Sequence, residues 1–253
     1  MKAERIIELF TFSCAAFSVL LSCQTLEELI SGLDAKTNEH ATKSEEKQIT
    51  DDQDADNWDL EQLDTARAVN YLSAKEKNVV LELNKVRTNP KKYADLYLVP
   101  DLRYYQGKEY RYPGRVTLIT NEGKSAVEEC IRALSLTRPM KALMPSDLLS
   151  MAAKDHVQDT GPKGIVGHTG SDGSSLVSRI QRYDKTRRSI AETIAYGHDK
   201  TSEIVKSLVV DDGVRSRGHR RIILTAGYDS VGLAIGNHST YRNVCVIDFA
   251  QYD

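Results

Sequence analysis

The sequence is short of cysteine. Four occur in 253 residues, and two of them, Cys14 and Cys23, fall in the N-terminal segment. The pair that remains, Cys130 and Cys245, excludes a small scaffold stapled by many disulfides. They form either one disulfide, which export would permit, or two buried thiols. An excess of charge is lacking too. Lys and Arg number 34 against 36 Asp and Glu, a net charge of −2. There is no long basic block and no nucleic-acid motif, so no nucleic-acid partner is expected. The HExxH pattern that puts two metal ligands on one helix is missing, as is the GxSxG elbow of a serine hydrolase. No internal repeat is present.

The N-terminus is informative. "MKAERIIELFTFSCAAFSVLLSC" opens with Lys2 and Arg5 and turns apolar from Leu9 to Leu21. That run falls short of the roughly 20 apolar residues of a membrane-spanning helix and suits the core of a secretory signal. Its end, "LLSC", looks like a bacterial lipobox. Residues 1–22 then read as a lipoprotein-type signal peptide, cleaved after Ser22, with a lipid attached to Cys23. Glu4 and Glu8 depart from a purely basic start, and the plainer alternatives are an ordinary signal peptide or an uncleaved anchor. Two or more acyl chains on Cys23 would hold the protein to a membrane. Gln24 does not supply the aspartate that retains some lipoproteins at an inner membrane, which favours outer-membrane or surface display within the cell envelope.

Residues 23–70 read as a polar, acidic, largely disordered tether. Within it "DQDADNWDLEQL" places Asp52, Asp54 and Asp56 at alternate positions, as a calcium loop would. The sixth position is Asn57 rather than glycine and the twelfth is Leu63 rather than glutamate, so a solvated spacer is the better reading. A globular domain is expected over 71–253. Val79, Val80, Leu83 and Val86 mark a helix that Pro90 ends or kinks. A loop-like insert follows near 99–120, with Tyr104, Tyr105, Tyr110 and Tyr112 either forming a ligand platform or capping a core edge. Further helices are expected over "EGKSAVEECIRALSLT", over "PSDLLSMAAKDHVQDTG" with Ser146 as N-cap and Gly161 as stop, after "SDG", and over "TSEIVKSLVV". "SVGLAIG" and "YRNVCVIDFA" read as a β-hairpin. Helices followed by strands suggest an α+β layered domain, not a βαβ repeat.

Four segments hold polar residues among apolar or glycine neighbours. They are His168 in "GHTGSDG", Glu192 in "SIAETIAYG", Asp211 and Asp212 in "VVDDGV", and His219 in "RGHRRIIL". Such carboxylates are costly to bury unless paired, and two histidines and two acids can satisfy one another or hold a metal. His156, on an apolar helix face, reads as a structural histidine. Arg215, Arg217, Arg220 and Arg221 read as solvated loop charges offsetting nearby acids.

Together, "LNKVRTNPKKYA", "AAKDHVQDTG", "GHTGSDGSSLVSRI", "IAETIAYG", "LVVDDGVRSRGHRRIIL" and "VGLAIGNH" resemble the CAP superfamily of cysteine-rich secretory, antigen 5 and pathogenesis-related proteins, also called the SCP domain. The resemblance runs from about Ala74 to Tyr252 and is nearest the bacterial branch, which lacks the disulfides of the animal forms. It implies a three-layer α-β-α sandwich with a cleft of two histidines and two acids. His168 matches the family's H-x-G histidine, Glu192 the glutamate of G-E-N-I, and His219 the histidine of G-H-R-x-x-I-L. Asp211 is placed at the second acidic position, with Asp212 competing for it. Ala191 and Thr193 replace the usual glycine and asparagine, and an aspartate stands where glutamate is common.

The resemblance implies a divalent metal, zinc favoured, held by His168 and His219. Glu192 and Asp211 would orient them from behind and are the candidate catalytic groups. Two protein ligands leave positions open, which is compatible with metal-assisted hydrolysis. The alternatives are a non-enzymatic binding module for a host protein, a glycan or a lipid, and a structural envelope protein whose buried network specifies the fold.

Overall fold

The computed structural model describes residues 57–186 and 189–252. The signal segment, Cys23 and the tether up to residue 56 lie outside the described residues. Packing starts upstream of Tyr71, where the sequence pattern places the start of the domain. The Trp58 indole donates to the Tyr97 hydroxyl at 3.0 Å. A one-turn helix, α1 (Leu60–Leu63), buries Leu63, and Ala66 follows it into the core. The acidic composition concealed this because few apolar side chains are involved. Part of the anchoring is polar, through the Asn84 side chain that donates to the Leu63 carbonyl at 2.8 Å.

Helix α2 (Ala74–Thr88) begins with a capping box. Ser73 accepts from the Glu76 N–H, and the Glu76 carboxylate accepts from the Ser73 N–H and hydroxyl. The other Glu76 oxygen takes the Ile235 N–H at 3.0 Å, so one side chain satisfies a helix start and a strand. Asn89 ends α2 and Pro90 opens a short α3 (Pro90–Tyr93), where proline's missing N–H costs nothing. The expected loop over 99–120 is instead structured. A 3-10 turn (Pro100–Tyr104) leads into an antiparallel meander of β1 (Tyr105–Gln106), β2 (Glu109–Tyr110) and β3 (Leu118–Ile119). Strands of two residues are too short to show any alternation in sequence.

A π-helical turn (Ala94–Leu98) follows α3, and the remaining elements are α4 (Lys124–Leu136), β4 (Met144–Pro145), α5 (Asp147–Thr160), α6 (Leu176–Gln181), β5 (Ser189–Tyr196), α7 (Thr201–Val210), α8 (Gly218–Ile223), β6 (Ser230–His238) and β7 (Arg242–Gln251). Ser146 caps α5 as expected, accepting from the Leu149 N–H. The order is not helices and then strands, because β5 stands between α6 and α7. Its segment "SIAETIAY" has buried residues on both faces and so shows no alternation.

The main sheet runs β4-β6-β7-β5, antiparallel except for the β4–β6 pair. One face, through Val231, Leu233, Cys245, Ile247 and Phe249, joins the core made by α2, α4 and α7. The other, through Ile194, Ala234, Val244 and Val246, packs on Ala153 and Val157 of α5. The result is the α-β-α sandwich. Cys130 and Cys245 are both buried free thiols. Burial raises both thiol pKa values, that of Cys130 to about 11.

Close approach of α5 to the sheet depends on small residues at alternate positions of β6. A Cβ on Gly232 would lie 2.3 Å from the Ser150 nitrogen and 2.4 Å from the Leu149 carbonyl carbon. One on Gly236 would meet Val157 Cγ1 at 2.4 Å. Backbone cannot yield there as a side-chain tip can. Gly232→Ala should therefore destabilise the domain by about 2–4 kcal/mol, at or above the usual cost of overpacking, measured by urea denaturation. Loss below about 0.5 kcal/mol, the scale of a neutral surface change, would show that α5 does not depend on this contact.

Candidate functional site

The candidate site residues meet in two pairs. His168 Nδ1 lies 2.7 Å from Glu192 Oε1, and His219 Nδ1 lies 2.7 Å from Asp211 Oδ1. Glu192 sits on β5, an edge strand of the main sheet, and α8, which begins at Gly218 just before His219, packs against that strand. In each pair the acid is buried and the imidazole reaches solvent. The Glu192 and Asp211 side chains are each 1% exposed, against 56% for His168 and 25% for His219.

The first pair rests on Arg179 of α6. Its Nη2 donates to Glu192 Oε2 at 2.5 Å and its Nη1 to the His168 carbonyl at 2.9 Å. Burial of Glu192 raises its pKa, but the bonds from His168 and Arg179 outweigh that and the net shift is downward. His168 is shifted up, chiefly by the Glu192 bond against opposing burial. The loop before it is gripped at Gly167, whose N–H donates to the Tyr196 hydroxyl at 2.9 Å. The Gly167 carbonyl accepts from His156 Nε2 at 2.8 Å. Gly167 has φ +102°, open to glycine alone at little cost. His156 is thus a buried structural histidine, as expected. Burial lowers its pKa, and the bond to the Gly167 carbonyl places a proton on Nε2.

The second pair resolves the choice between the adjacent aspartates. Asp211 ends α7 in the left-handed conformation, φ 58° and ψ 42°. That turn folds the chain back, so Asp211 Oδ2 accepts from the His219 N–H at 2.9 Å and the Arg220 N–H at 3.4 Å. Asp212 faces elsewhere, accepting from the Asn121 and Glu122 N–H groups at 2.6 and 2.7 Å. Two of the flanking arginines are not solvated charges. Arg220 is 5% exposed and holds Glu129 of α4 with both carboxylate oxygens at 2.6 Å. Arg217 is half-buried, spanning Glu122 and Glu129. Arg215 and Arg221 are exposed.

Two supporting residues escaped the sequence reading. Arg179 lies in the six-residue helix α6, where nothing in the sequence marks an arginine as buried. Arg87 of α2 donates to the carbonyls of Ile223, Thr225 and Tyr228 and so fixes the end of α8. Burial lowers its pKa to about 10. Their signal is faint: Arg87 falls on the stripe of Leu83 and Val86, where a solvated arginine would not.

The arrangement limits the chemistry. Each carboxylate oxygen of Glu192 and Asp211 already accepts a hydrogen bond. Both acids are also buried, 1% exposed, so the imidazoles and not the carboxylates face the solvent. Among the described residues no three His, Cys, Asp or Glu side chains converge as a metal-ligand set. The imidazole Nε2 atoms of His168 and His219 make no protein hydrogen bond among the described residues, and they are the donors the two pairs leave over.

A family model described as the cysteine-rich secretory protein family, CAP, matches residues 82–249. Solved structures similar to the chain include an outer surface protein from Borrelia burgdorferi, 20% identical over 51% of this chain and 89% of that one, TM-score 0.39. An extracellular SCP-domain protein from Bacillus anthracis str. Ames is 16% identical over 51% of this chain and 38% of its own, TM-score 0.38. A cysteine-rich secretory protein from Staphylococcus aureus subsp. aureus Mu50 is 18% identical over 50% and 37%, TM-score 0.33. The chain thus spans under two fifths of the latter two. No curated protein sequence matches it.

The first pair sets a pH window. The lowered Glu192 value contributes stability that is present above 4.5 and is lost as pH falls through the folded value. The raised His168 value contributes stability that is full below 6.5 and is lost as pH rises through the folded value. An NMR titration of His168 should therefore give a midpoint above 6.5. A midpoint at or below that value would mean the imidazole is not held by Glu192 in solution.

Proposed function

Because the chain belongs to the cysteine-rich secretory protein (CAP) family, we propose that it is an exported, lipid-anchored CAP-domain protein whose two His–acid pairs bind a divalent cation, zinc favoured. The observation that carries this reading is the orientation of both imidazoles. Each has Nδ1 held by a buried carboxylate, the partner arrangement that fixes the tautomer of a metal-ligating histidine and leaves Nε2 as the donor. Imidazole nitrogen suits zinc. His168 and His219 would hold the ion, with Glu192 and Asp211 orienting them. A bound ion would supply Lewis acidity at its open positions. The residues themselves bind and orient, and their carboxylates lie buried behind the imidazoles, 1% exposed, away from a ligand in the cleft.

That last point favours a binding role over hydrolysis. The second reading is accordingly a non-enzymatic module, held at the membrane by a lipid on Cys23 and presenting its surface to a host protein, a glycan or a lipid. The N-terminal "LLSC" supports the anchor, and the apolar run before it supports export.

Calorimetric titration of the purified chain with zinc chloride should show micromolar or tighter binding, abolished in the His168→Gln/His219→Gln double variant. No binding, or binding that survives in a folded double variant, would remove the cation from this reading. The anchor has its own check. Expressed in a bacterium with lipoprotein processing, the protein should incorporate labelled palmitate and enter the detergent phase on phase separation. Cys23→Ala should do neither, and unchanged labelling in that variant would place the lipid elsewhere.

A further inference from the structure

A groove of about 510 Å³ lies between the β1–β3 meander and α7, with none of His168, Glu192, Asp211 and His219 in its lining. Its volume falls within the range of small-molecule sites, roughly 300–1,000 Å³. Tyr105, Tyr110 and Tyr112 line it. They form part of one aromatic cluster, with ring centroids of Tyr105 and Tyr110 4.8 Å apart and of Tyr110 and Tyr112 6.2 Å apart. Tyr104 backs Tyr112 at 4.7 Å. The rings are therefore braced by one another as a rigid surface.

The charges of the lining cancel. Asp101, Glu203 and Asp212 are matched by Arg115, Lys200 and Lys206. Most of these are already committed. Asp101 takes the Lys206 ammonium at 2.7 Å and the Tyr110 hydroxyl. Glu203 takes Arg115. Asp212 takes two backbone N–H groups. No acid is left over to hold a cation, and no cluster of free bases awaits a phosphate or sulfate. The groove thus offers a surface of mutually tilted aromatic rings beside many oriented hydrogen-bond donors and acceptors, with no net charge. Thr120 and Ser202 add hydroxyls to the lining.

We propose that this groove binds a neutral oligosaccharide, its apolar sugar faces on the tyrosines and its hydroxyls on the ion-paired side chains and on Thr120 and Ser202. A sugar ring has both an apolar C–H face and a rim of hydroxyls, and it needs no charge from its site. The proposal deepens the binding-module reading and does not depend on the cation.

The test applies the full chain to an immobilised array of neutral, sialylated and sulfated oligosaccharides and follows each hit by calorimetry with the free sugar. Binding to at least one neutral oligosaccharide is expected, unaffected by removal of divalent cations with a chelator. Tyr112→Ala should weaken it by about tenfold, the scale of one aromatic contact. Ser202→Tyr places bulk in the groove from an exposed position of α7, without touching the core, and should abolish it. The variants are first checked for native circular dichroism, and Ser202→Tyr keeps the test decisive if Tyr112→Ala fails to fold. Absence of any neutral hit, binding confined to the sialylated or sulfated sugars, or hits that survive Ser202→Tyr would each overturn the proposal. Loss of zinc binding in the histidine double variant with sugar binding intact would separate the two sites.

Discussion

The buried ion pair between Arg179 and Glu192 is the constraint on which the first half of the site depends. A carboxylate 1% exposed is costly to bury unless its charge is met, and removing one partner of a buried ion pair costs about 3–5 kcal/mol. Here the cation comes from α6, a helix of only six residues that could not persist alone. The pair therefore fixes where α6 lies on β5. Because the same guanidinium also holds the His168 carbonyl, it fixes the loop as well. His168 is exposed, yet its position follows from the groups that hold it: Arg179 behind its carbonyl, Glu192 at its ring, and Gly167 pinned between Tyr196 and His156. An exposed ring on so fixed a base spends little entropy when it meets a ligand.

The second pair is built by different means. Among the described residues no arginine side chain bonds to the Asp211 carboxylate. Its charge is met by the N–H groups at the start of α8 and by the His219 ring, and its position by a left-handed turn. A non-glycine residue in that conformation costs energy, which the surrounding bonds must hold in place. Arg217, itself left-handed at φ 49°, does part of this by donating to the Asp211 carbonyl at 2.8 Å while gripping Glu122 and Glu129. Arg87 secures the far end of α8. One pair hangs on a buried ion pair and the other on backbone geometry, so they should respond differently to substitution even though the imidazoles look alike.

This difference explains what the sequence could and could not disclose. Helices with a clear apolar stripe, such as Ala126, Val127, Cys130 and Leu134, were legible because one face is buried and the period shows. The β6–β7 hairpin was legible from its β-branched runs. Strand β5 was not, since both its faces are covered and Glu192 and Thr193 are buried within it. The histidines and Glu192 were found through motifs whose order along the chain is specific. The choice between Asp211 and Asp212 was not written in the residues at all, because it depends on the sign of one φ angle. Arg179 and Arg87 were invisible for a related reason. A buried arginine and a solvated one are the same letter, and only the carbonyls and carboxylates brought around them by the fold tell them apart. The structured start at Trp58 was masked by acidic neighbours that remain on the surface while Leu63 and Ala66 go inward.

The aspartate doublet also ties the two regions of the domain together. Side chains of adjacent residues diverge when the first is left-handed, and these two leave α7 for different destinations. Asp211 turns to His219. Asp212 closes on Asn121 and Glu122, the residues that follow the meander, and it lines the tyrosine groove. Gly213 continues the turn at φ +83°, with its N–H donated to Glu122 and the Asn121 side chain packed where a Cβ would stand. The C-terminus of one helix therefore sets the position of an imidazole on one side and of the base of the aromatic insert on the other. The two carboxylates cannot trade roles in this geometry. Either carboxylate moved by one residue would lose its N–H partners and leave those donors unmet, so the two aspartates are separate structural parts, each with its own partners.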